Sequence, residues 1–301
     1  MGQLSFEFFP PRQAEGLERL VTTARQLQRL QPDYVSVTFG AGGSTQEGTL
    51  ATAQRLRQDT GLAVAPHLSC VGLDAQTVLG LLQRYREMGL RQLVVIRGDR
   101  PSGVAESGPF LHAIDMVRFV RRHTGHTFTI HVAAYPDIHP EAVSAAHDIT
   151  HLVHKVQAGA DGIITQYFYN ADAYFRLRDD IGRMGMTIPV VPGIMPITNA
   201  EQLLRFSTRC GAEVPRWLAL RLKDLDAEPA GLKAFGLEVV ASLCQRLLDG
   251  GAPGLHIYTL NQAEPALALG AALGLTGGGG VRSPDEAAGG AVVPGASPPS
   301  W

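Results

Sequence analysis

Short apolar runs rich in β-branched residues alternate with longer amphipathic stretches along the first 275 residues of this 301-residue chain. The runs predict eight strands, at Leu4–Phe8, Tyr34–Thr38, Ala63–His67, Gln92–Arg97, Thr127–Ala134, Gly162–Gln166, Ile188–Gly193 and Gly254–Thr259. The stretches predict helices at Ala14–Arg29, Thr45–Asp59, Ala75–Met88, Phe110–Arg122, Pro140–Ala158, Ala171–Met184, Asn199–Cys210, Leu232–Leu248 and Ala263–Leu273. Such alternation favours parallel βαβ units. Eight strands favour an α/β fold of the (β/α)8 TIM-barrel type over a doubly wound sheet.

Two segments lie outside a minimal barrel. Residues 212–231 are surplus between the seventh helix and the eighth strand, and we expect an extra helix there. From Thr276 onward, seven glycines and four prolines in 26 residues leave little apolar surface to bury, so residues 276–301 are expected to form a disordered tail. The sequence therefore predicts one folded domain over 1–275.

Composition excludes several classes of protein. A net charge of −2 argues against nucleic-acid binding through bulk positive charge. Apolar runs such as Leu93–Ile96 are far too short to span a membrane, and the N-terminus lacks the pattern of a secretory signal. Three scattered cysteines (Cys70, Cys210 and Cys244) without CxxC spacing indicate a reducing cytoplasm and argue against a disulfide framework or a zinc site.

Polar residues gather at the carboxyl ends of the predicted strands. Alternation along the first strand points Glu7 into the barrel near its mouth, while Phe6 and Phe8 face the helices. The second strand likewise turns Ser36 and Thr38 inward. Other strand ends carry His67, Arg97, Asp99, Tyr135, Gln166 and Tyr258. Because TIM-barrel active sites lie at this face, the pattern predicts an active site there.

Glu7 is the candidate general acid of this site. A carboxyl buried beside three phenylalanines should have a raised pKa, because desolvation disfavours its charged form. Such a group donates a proton near neutral pH. The alternative is that Glu7 pairs with Arg97.

Other features leave two interpretations open. His147, His151 and His154 share one side of a helix that is predicted to open at Pro140; they form either a metal site or a polar face that contacts a ligand phosphate. Gly42-Gly43-Ser44 is either a phosphate-binding turn or a helix cap. Gln202 and Phe206 face either the substrate or solvent.

Eight blocks in order along 1–275 resemble the bacterial single-domain methylenetetrahydrofolate reductase family. They are SFEFFPPR (5–12), YVSVTFGAGGST (34–45), APHLSC (65–70), RGDRP (97–101), AAYPDIHPEA (133–142), KVQAGADGIITQYFYN (155–170), VPGIMPI (191–197) and LHIYTLNQAE (255–264). The resemblance implies an FAD-containing barrel in which NADH or NADPH reduces the flavin and leaves. Methylenetetrahydrofolate then takes the hydride by a ping-pong mechanism, which feeds methionine synthesis. It also implies a homodimer or homotetramer and no metal.

The resemblance also implies residue roles. Glu7 matches the family's acid, Gln166 the contact to both substrates, and Asp99 the carboxylate near flavin and pterin. The positions that match FAD contacts are Thr38, His67, Arg97, Gly98, Asp99, His112, Ala113, Tyr135, His139, Ala142, Asp148, His151, His154 and Lys155. The positions that match substrate contacts are Asp99, Gln166, Gln202, Phe206, Tyr258 and Gln262.

Four of these positions depart from the family pattern. His112, His151 and His154 stand where bacterial relatives have Tyr, Asn and Arg, which implies FAD affinity that is weaker or depends on pH. Gln262 stands where some relatives have Arg near the folate glutamate.

Three rival functions are weighed against this one. The first is another FAD barrel, similar to proline dehydrogenase, but it needs a carboxylate-binding arginine pair that the sequence does not offer. The second is a metal-dependent hydrolase that uses His67, His139 and the three-histidine face. The third is a binding or scaffold barrel, which would not need to keep Glu7, Asp99 and Gln166.

Overall fold

The structure is a computed structural model that describes residues 2–39, 46–70, 72–98 and 108–275. Eight parallel strands close into a barrel in chain order, with β8 pairing to β1. They are β1 Gln3–Phe8, β2 Tyr34–Val37, β3 Val64–Ser69, β4 Gln92–Ile96, β5 Thr129–Ala134, β6 Gly162–Tyr167, β7 Val190–Ile194 and β8 Gly254–Tyr258. The predicted TIM barrel is confirmed.

Helices surround the barrel and connect successive strands. They are α1 Ala14–Leu27 (followed by a 3-10 turn at Gln28–Leu30), α2 Gln46–Thr60, α3 Ala75–Glu87, α4 Ala113–Thr124, α5 Ala145–Gln157, α6 Ala171–Arg183, α7 Ala200–Cys210, α8 Arg216–Asp224, α9 Pro229–Asp249 and α10 Glu264–Ala272. Helix α8 is the extra helix that the surplus segment predicts, and it buries Leu218 and Leu222 one turn apart.

The predicted start of α5 at Pro140 is wrong. The helix begins five residues later, because the side chain of Ser144 accepts a hydrogen bond from the backbone N–H of His147 and caps its first turn. Residues 135–144 instead form a loop at the carboxyl end of β5. Helix α4 also begins later than predicted, at Ala113, after His112 donates its backbone N–H to Asp115.

Three sequence predictions lie outside the described residues. They concern Asp99, the Gly42-Gly43-Ser44 turn and the tail 276–301. Among the described helices, none combines the length and the apolar character needed to cross a membrane.

The main hydrophobic core lies between the strands and the helices. Phe6 and Phe8 are almost completely buried there, together with Val35 and Val37. Full burial of each such side chain stabilises the fold by about 1.5–3 kcal/mol. The alternation predicted for β1 and β2 is therefore confirmed, and the intervening residues of these strands point into the barrel.

Polar and aromatic side chains fill much of the barrel interior. Tyr34 stacks on His131 with 5.4 Å between ring centroids, and on His256 at 6.3 Å. Burial, together with the charge of His256, lowers the pKa of His131 to about 4, against a small opposing effect of Asp161. These stacked rings of Tyr34, His131 and His256 lie in the barrel interior, below the residues at its mouth.

Candidate active site

Glu7 is held at the barrel mouth by side chains from three other strands. Its Oε2 lies 3.1 Å from His67 Nε2 on β3 and 3.4 Å from His256 Nε2 on β8. The hydroxyl of Ser36 on β2 donates to the same oxygen at 3.3 Å. The carboxylate is therefore positioned by the closure of the barrel itself.

His256 extends this arrangement into the barrel. Its ring is fully buried, and its Nδ1 lies 2.8 Å from the hydroxyl oxygen of Ser5. The contacts run from Ser5 through His256 to Glu7 and on to His67. Each link joins groups that can hold or pass a proton. His256 was not among the predicted site residues. It lies beside Ser5 and Glu7 because these residues point inward on β1 and β8 pairs with β1.

The predicted raised pKa of Glu7 is wrong. Burial does raise the pKa of this carboxyl, but the charge of His67 and hydrogen bonds from His256 and His67 outweigh it. The result is a pKa of about 2. The residues next to Glu7 in sequence indicate its burial but not the imidazoles that other strands supply.

Arg97 does not pair with Glu7. Its guanidinium instead forms two bonds with Glu141, of 2.5 Å and 2.9 Å, between the end of β4 and the loop after β5. The Glu141 side chain is 62% exposed, whereas that of Arg97 is 23% exposed. A cation at the mouth is thus paired with a carboxylate that is largely exposed to solvent.

The loop after β5 and helix α5 bring further predicted cofactor residues together. The backbone N–H of His139 donates to Asp148 at 2.8 Å, and the His139 ring packs edge-on against Tyr135. Lys155 Nζ donates to the carbonyl of Ala133 at 2.6 Å. Burial lowers the pKa of Lys155 to about 8, with Asp148 opposing the shift. Ala142 lies in the same loop, where its N–H donates to the His139 carbonyl.

Two features at strand ends suit a large polar ligand. The hydroxyl of Thr38, which follows β2, is buried and finds no hydrogen-bond partner in the described part of the chain. Gly98 follows Arg97 with φ of +85°, a left-handed conformation that favours glycine, and glycine has no Cβ to hinder the approach of a ligand to the backbone. A buried hydroxyl, a cationic amine and a guanidinium are groups that bind a dinucleotide cofactor.

Gln166 and Tyr258 lie on the other side of the mouth. The Gln166 side-chain oxygen accepts the backbone N–H of Tyr167, which leaves its amide nitrogen available as a donor. The Tyr258 hydroxyl donates to the Thr165 carbonyl at 2.7 Å. The contact between the Tyr258 hydroxyl and the Thr165 carbonyl requires glycine at 193, because a Cβ there would lie 2.1 Å from the Thr165 carbonyl oxygen.

The remaining predicted substrate residues lie on α7 and in the loop after β8. Gln202 is in the first turn of α7, where its backbone N–H donates to the capping side chain of Asn199. Phe206, one turn later, is partly exposed and is not among the core residues. Gln262 is exposed after β8, and its N–H donates to the Thr259 carbonyl.

The histidines of α4 and α5 form a surface cluster. His147 and His151 face each other with 3.0 Å between their Nε2 atoms, and the rings of His112 and His154 each lie 6.3 Å from His151. Over the described ranges, no group of three or more His, Cys, Asp or Glu side chains has the geometry to hold a metal ion.

Comparison with known proteins agrees with the resemblance. The chain is 38% identical over 273 residues to a 5,10-methylenetetrahydrofolate reductase of Pectobacterium carotovorum, covering 90% of each chain. It is 35% identical over 275 residues to the same enzyme of Escherichia coli, covering 91% of this chain and 92% of the relative.

A solved structure shares the fold at low sequence identity. It is an uncharacterised protein from Clostridium thermocellum, described as binding two copies of 5-methyl-5,6,7,8-tetrahydrofolic acid. Its TM-score is 0.64 at 16% identity, over 90% of this chain and 93% of that one. The family model of methylenetetrahydrofolate reductase matches residues 2–274. The chain therefore belongs to the methylenetetrahydrofolate reductase family.

Proposed function

We propose that this chain reduces 5,10-methylenetetrahydrofolate to 5-methyltetrahydrofolate with NADH or NADPH as the reductant and FAD as the resident cofactor. The observation that carries this proposal is a partly buried carboxylate, Glu7, held among His67, His256 and Ser36 at the mouth of a barrel of this family. The overall change adds one hydride and one proton to the folate, so the site must supply a proton.

Glu7 is the group placed to deliver this proton. The five-membered ring of the folate opens to an iminium when its amine nitrogen is protonated, and the iminium carbon then accepts the hydride. With a pKa of about 2, Glu7 alone is a poor reservoir near neutral pH. We therefore assign proton delivery to Glu7 acting together with the His67 and His256 side chains that contact its carboxylate, with Glu7 as the member that passes the proton to the folate nitrogen.

The residues described at the ends of β2, β4 and β5 fit FAD. Arg97 and Lys155 offer positive charge for its pyrophosphate, and Thr38 offers an unsatisfied hydroxyl. When bound, FAD supplies the hydride-carrying chemistry that protein side chains lack. Asp99 lies outside the described residues, and its assignment as the carboxylate near the flavin and pterin rings rests on the family resemblance.

Gln166 and Phe206 serve both substrates in turn, and Gln202 contacts the folate. A carboxamide offers a donor and an acceptor, which suits a nicotinamide amide as well as a pterin edge. A partly exposed aromatic side chain offers a flat surface on which either ring stacks. If both substrates use one place, the reaction must be ping-pong, because the oxidised nicotinamide leaves before the folate enters. Tyr258 and Gln262 complete the folate contacts.

Cofactor content, product formation, steady-state kinetics and sedimentation test the proposal. Purified protein should carry about one FAD per chain and, with NADH or NADPH, should convert methylenetetrahydrofolate to methyltetrahydrofolate. Initial rates at several fixed concentrations of each substrate should give parallel double-reciprocal lines. A colourless protein, or a flavoprotein that produces no methyltetrahydrofolate, would contradict it. Sedimentation of the same sample tests the expected homodimer or homotetramer.

A further inference from the structure

Ile138 has a backbone conformation that is unfavourable for its side chain. Its φ is +83°, in the left-handed region that favours glycine. The other described non-glycine residues with positive φ are Gln31, Leu260 and Asn261, none of which is β-branched. A branched side chain at positive φ is a genuine outlier, because its Cβ substituents crowd the backbone.

The neighbours of Ile138 keep it in this conformation. On one side, Asp137 accepts the backbone N–H of Glu213, in the loop between α7 and α8, at 3.1 Å. On the other side, the backbone N–H of His139 donates to Asp148 on α5 at 2.8 Å. Because Asp137 and His139 are each bonded to a different part of the protein, the backbone of Ile138 between them is held at positive φ.

Folding alone gives no reason for isoleucine at this position. The residue is 44% exposed, so its side chain contributes little to the core. Glycine would adopt this φ without strain, and asparagine would adopt it with little. Strained residues of this kind cluster at ligand sites, and Ile138 lies in the loop between Tyr135 and His139.

We infer that Ile138 is a ligand-binding residue whose exposed apolar side chain packs against the bound dinucleotide cofactor. The inference rests on the proposed function, since it takes FAD as the ligand. Three hydrogen bonds, donated by the backbone N–H groups of Glu213, His139 and Glu141, fix the path of this loop and keep the apolar side chain exposed before the ligand arrives. The strained conformation of Ile138 is thus retained because it exposes an apolar contact surface before the ligand binds.

The test compares Ile138→Asn with Ile138→Val. Asparagine relieves the strain and removes the apolar contact, so the unfolding temperature of the protein stripped of FAD should rise by about 2–4 °C. The Kd for FAD, measured from the recovery of flavin fluorescence on dilution of the purified protein, should rise about 10-fold. Valine keeps the branched Cβ and most of the surface, so Kd should change by no more than about 4-fold and the unfolding temperature should stay the same.

The outcomes separate this inference from the proposed function. If wild-type protein binds FAD and Ile138→Asn binds it equally tightly, the inference is overturned and the proposed function stands. If Ile138→Asn lowers the unfolding temperature, the strain argument fails. Ile138→Gly supplies a second variant that removes both strain and side chain, and it should also weaken FAD binding. A wild-type chain that binds no FAD would overturn both.

Discussion

Glu7 on β1 and His67 on β3 meet across the barrel mouth, with 3.1 Å between carboxylate Oε2 and imidazole Nε2. Burial raises the pKa of Glu7, and the charge of His67 is the strongest effect that lowers it. The His67 imidazole is therefore the largest single contributor to keeping this carboxyl ionised, with His256 adding to its effect.

Replacing His67 should reverse the pKa shift of Glu7. In His67→Asn the imidazole that lowers the pKa of Glu7 is gone, while burial still raises it. The pKa of the carboxyl should therefore rise from about 2 towards or above its usual 4.5. The 13C chemical shift of labelled glutamate, followed during a pH titration, measures it. His126→Asn, a change at an exposed histidine, is the matched control. An unchanged pKa in His67→Asn would remove His67 from this role.

His131 should make the stability of the fold depend on pH. Its pKa is about 4 in the folded chain and 6.5 when exposed, so between these values the unfolded chain binds one more proton. The contribution of neutral His131 to the free energy of unfolding is therefore complete above pH 6.5. It is lost as the pH falls towards 4, at up to about 1.4 kcal/mol per pH unit.

Denaturant unfolding at several pH values checks this prediction. His131→Gln, which cannot titrate, should flatten the dependence of the unfolding free energy on pH by one proton over this range. Only the pH dependence of the unfolding free energy is compared, so a change in the absolute stability of the variant does not affect the result. An equal slope in wild type and variant would show that His131 does not titrate as described.

Glu141 should compete with an anionic ligand for Arg97. Its carboxylate occupies two guanidinium N–H groups that would otherwise face a phosphate. Glu141→Gln should therefore tighten binding of inorganic pyrophosphate about 3-fold to 10-fold at low ionic strength. Calorimetric titration measures this change. Glu238→Gln, at an exposed position on α9, controls for net charge. Weaker binding in Glu141→Gln would show instead that the carboxylate positions the guanidinium.

Deleting residues 276–301 should leave folding and activity intact. The family match ends at 274, and the backbone N–H of Leu275 already bonds the Gly270 carbonyl at the end of α10. A segment so rich in glycine and proline contributes little burial. Thermal unfolding of the truncated chain should match that of the full chain. A lower midpoint would mean that the tail packs on the barrel.

The fold could be predicted from the sequence because its signals are local. Alternation within β1 separates Phe6 and Phe8 from Glu7, and the same rule turns Ser36 inward on β2. Helix α8 follows from a segment too long for a simple connection. Such patterns depend on neighbouring residues, which the sequence displays directly.

Partners distant in sequence could not be predicted in the same way. His256 lies 249 residues from Glu7, and only the closure of the barrel makes them neighbours. The pairing of Arg97 with Glu141 depends on the path of a loop that local patterns assigned to a helix. The strain at Ile138 likewise arises from two hydrogen bonds to separate elements.

The most direct test of the account is rapid-mixing spectroscopy of wild type and Glu7→Gln. Both should carry flavin that NADH or NADPH bleaches at similar rates, because this step needs no proton from Glu7. Methylenetetrahydrofolate should then restore the flavin absorbance in wild type and fail to do so in Glu7→Gln, since glutamine cannot pass a proton to the folate nitrogen. Equal recovery in both proteins would contradict the assignment of Glu7 as the proton donor.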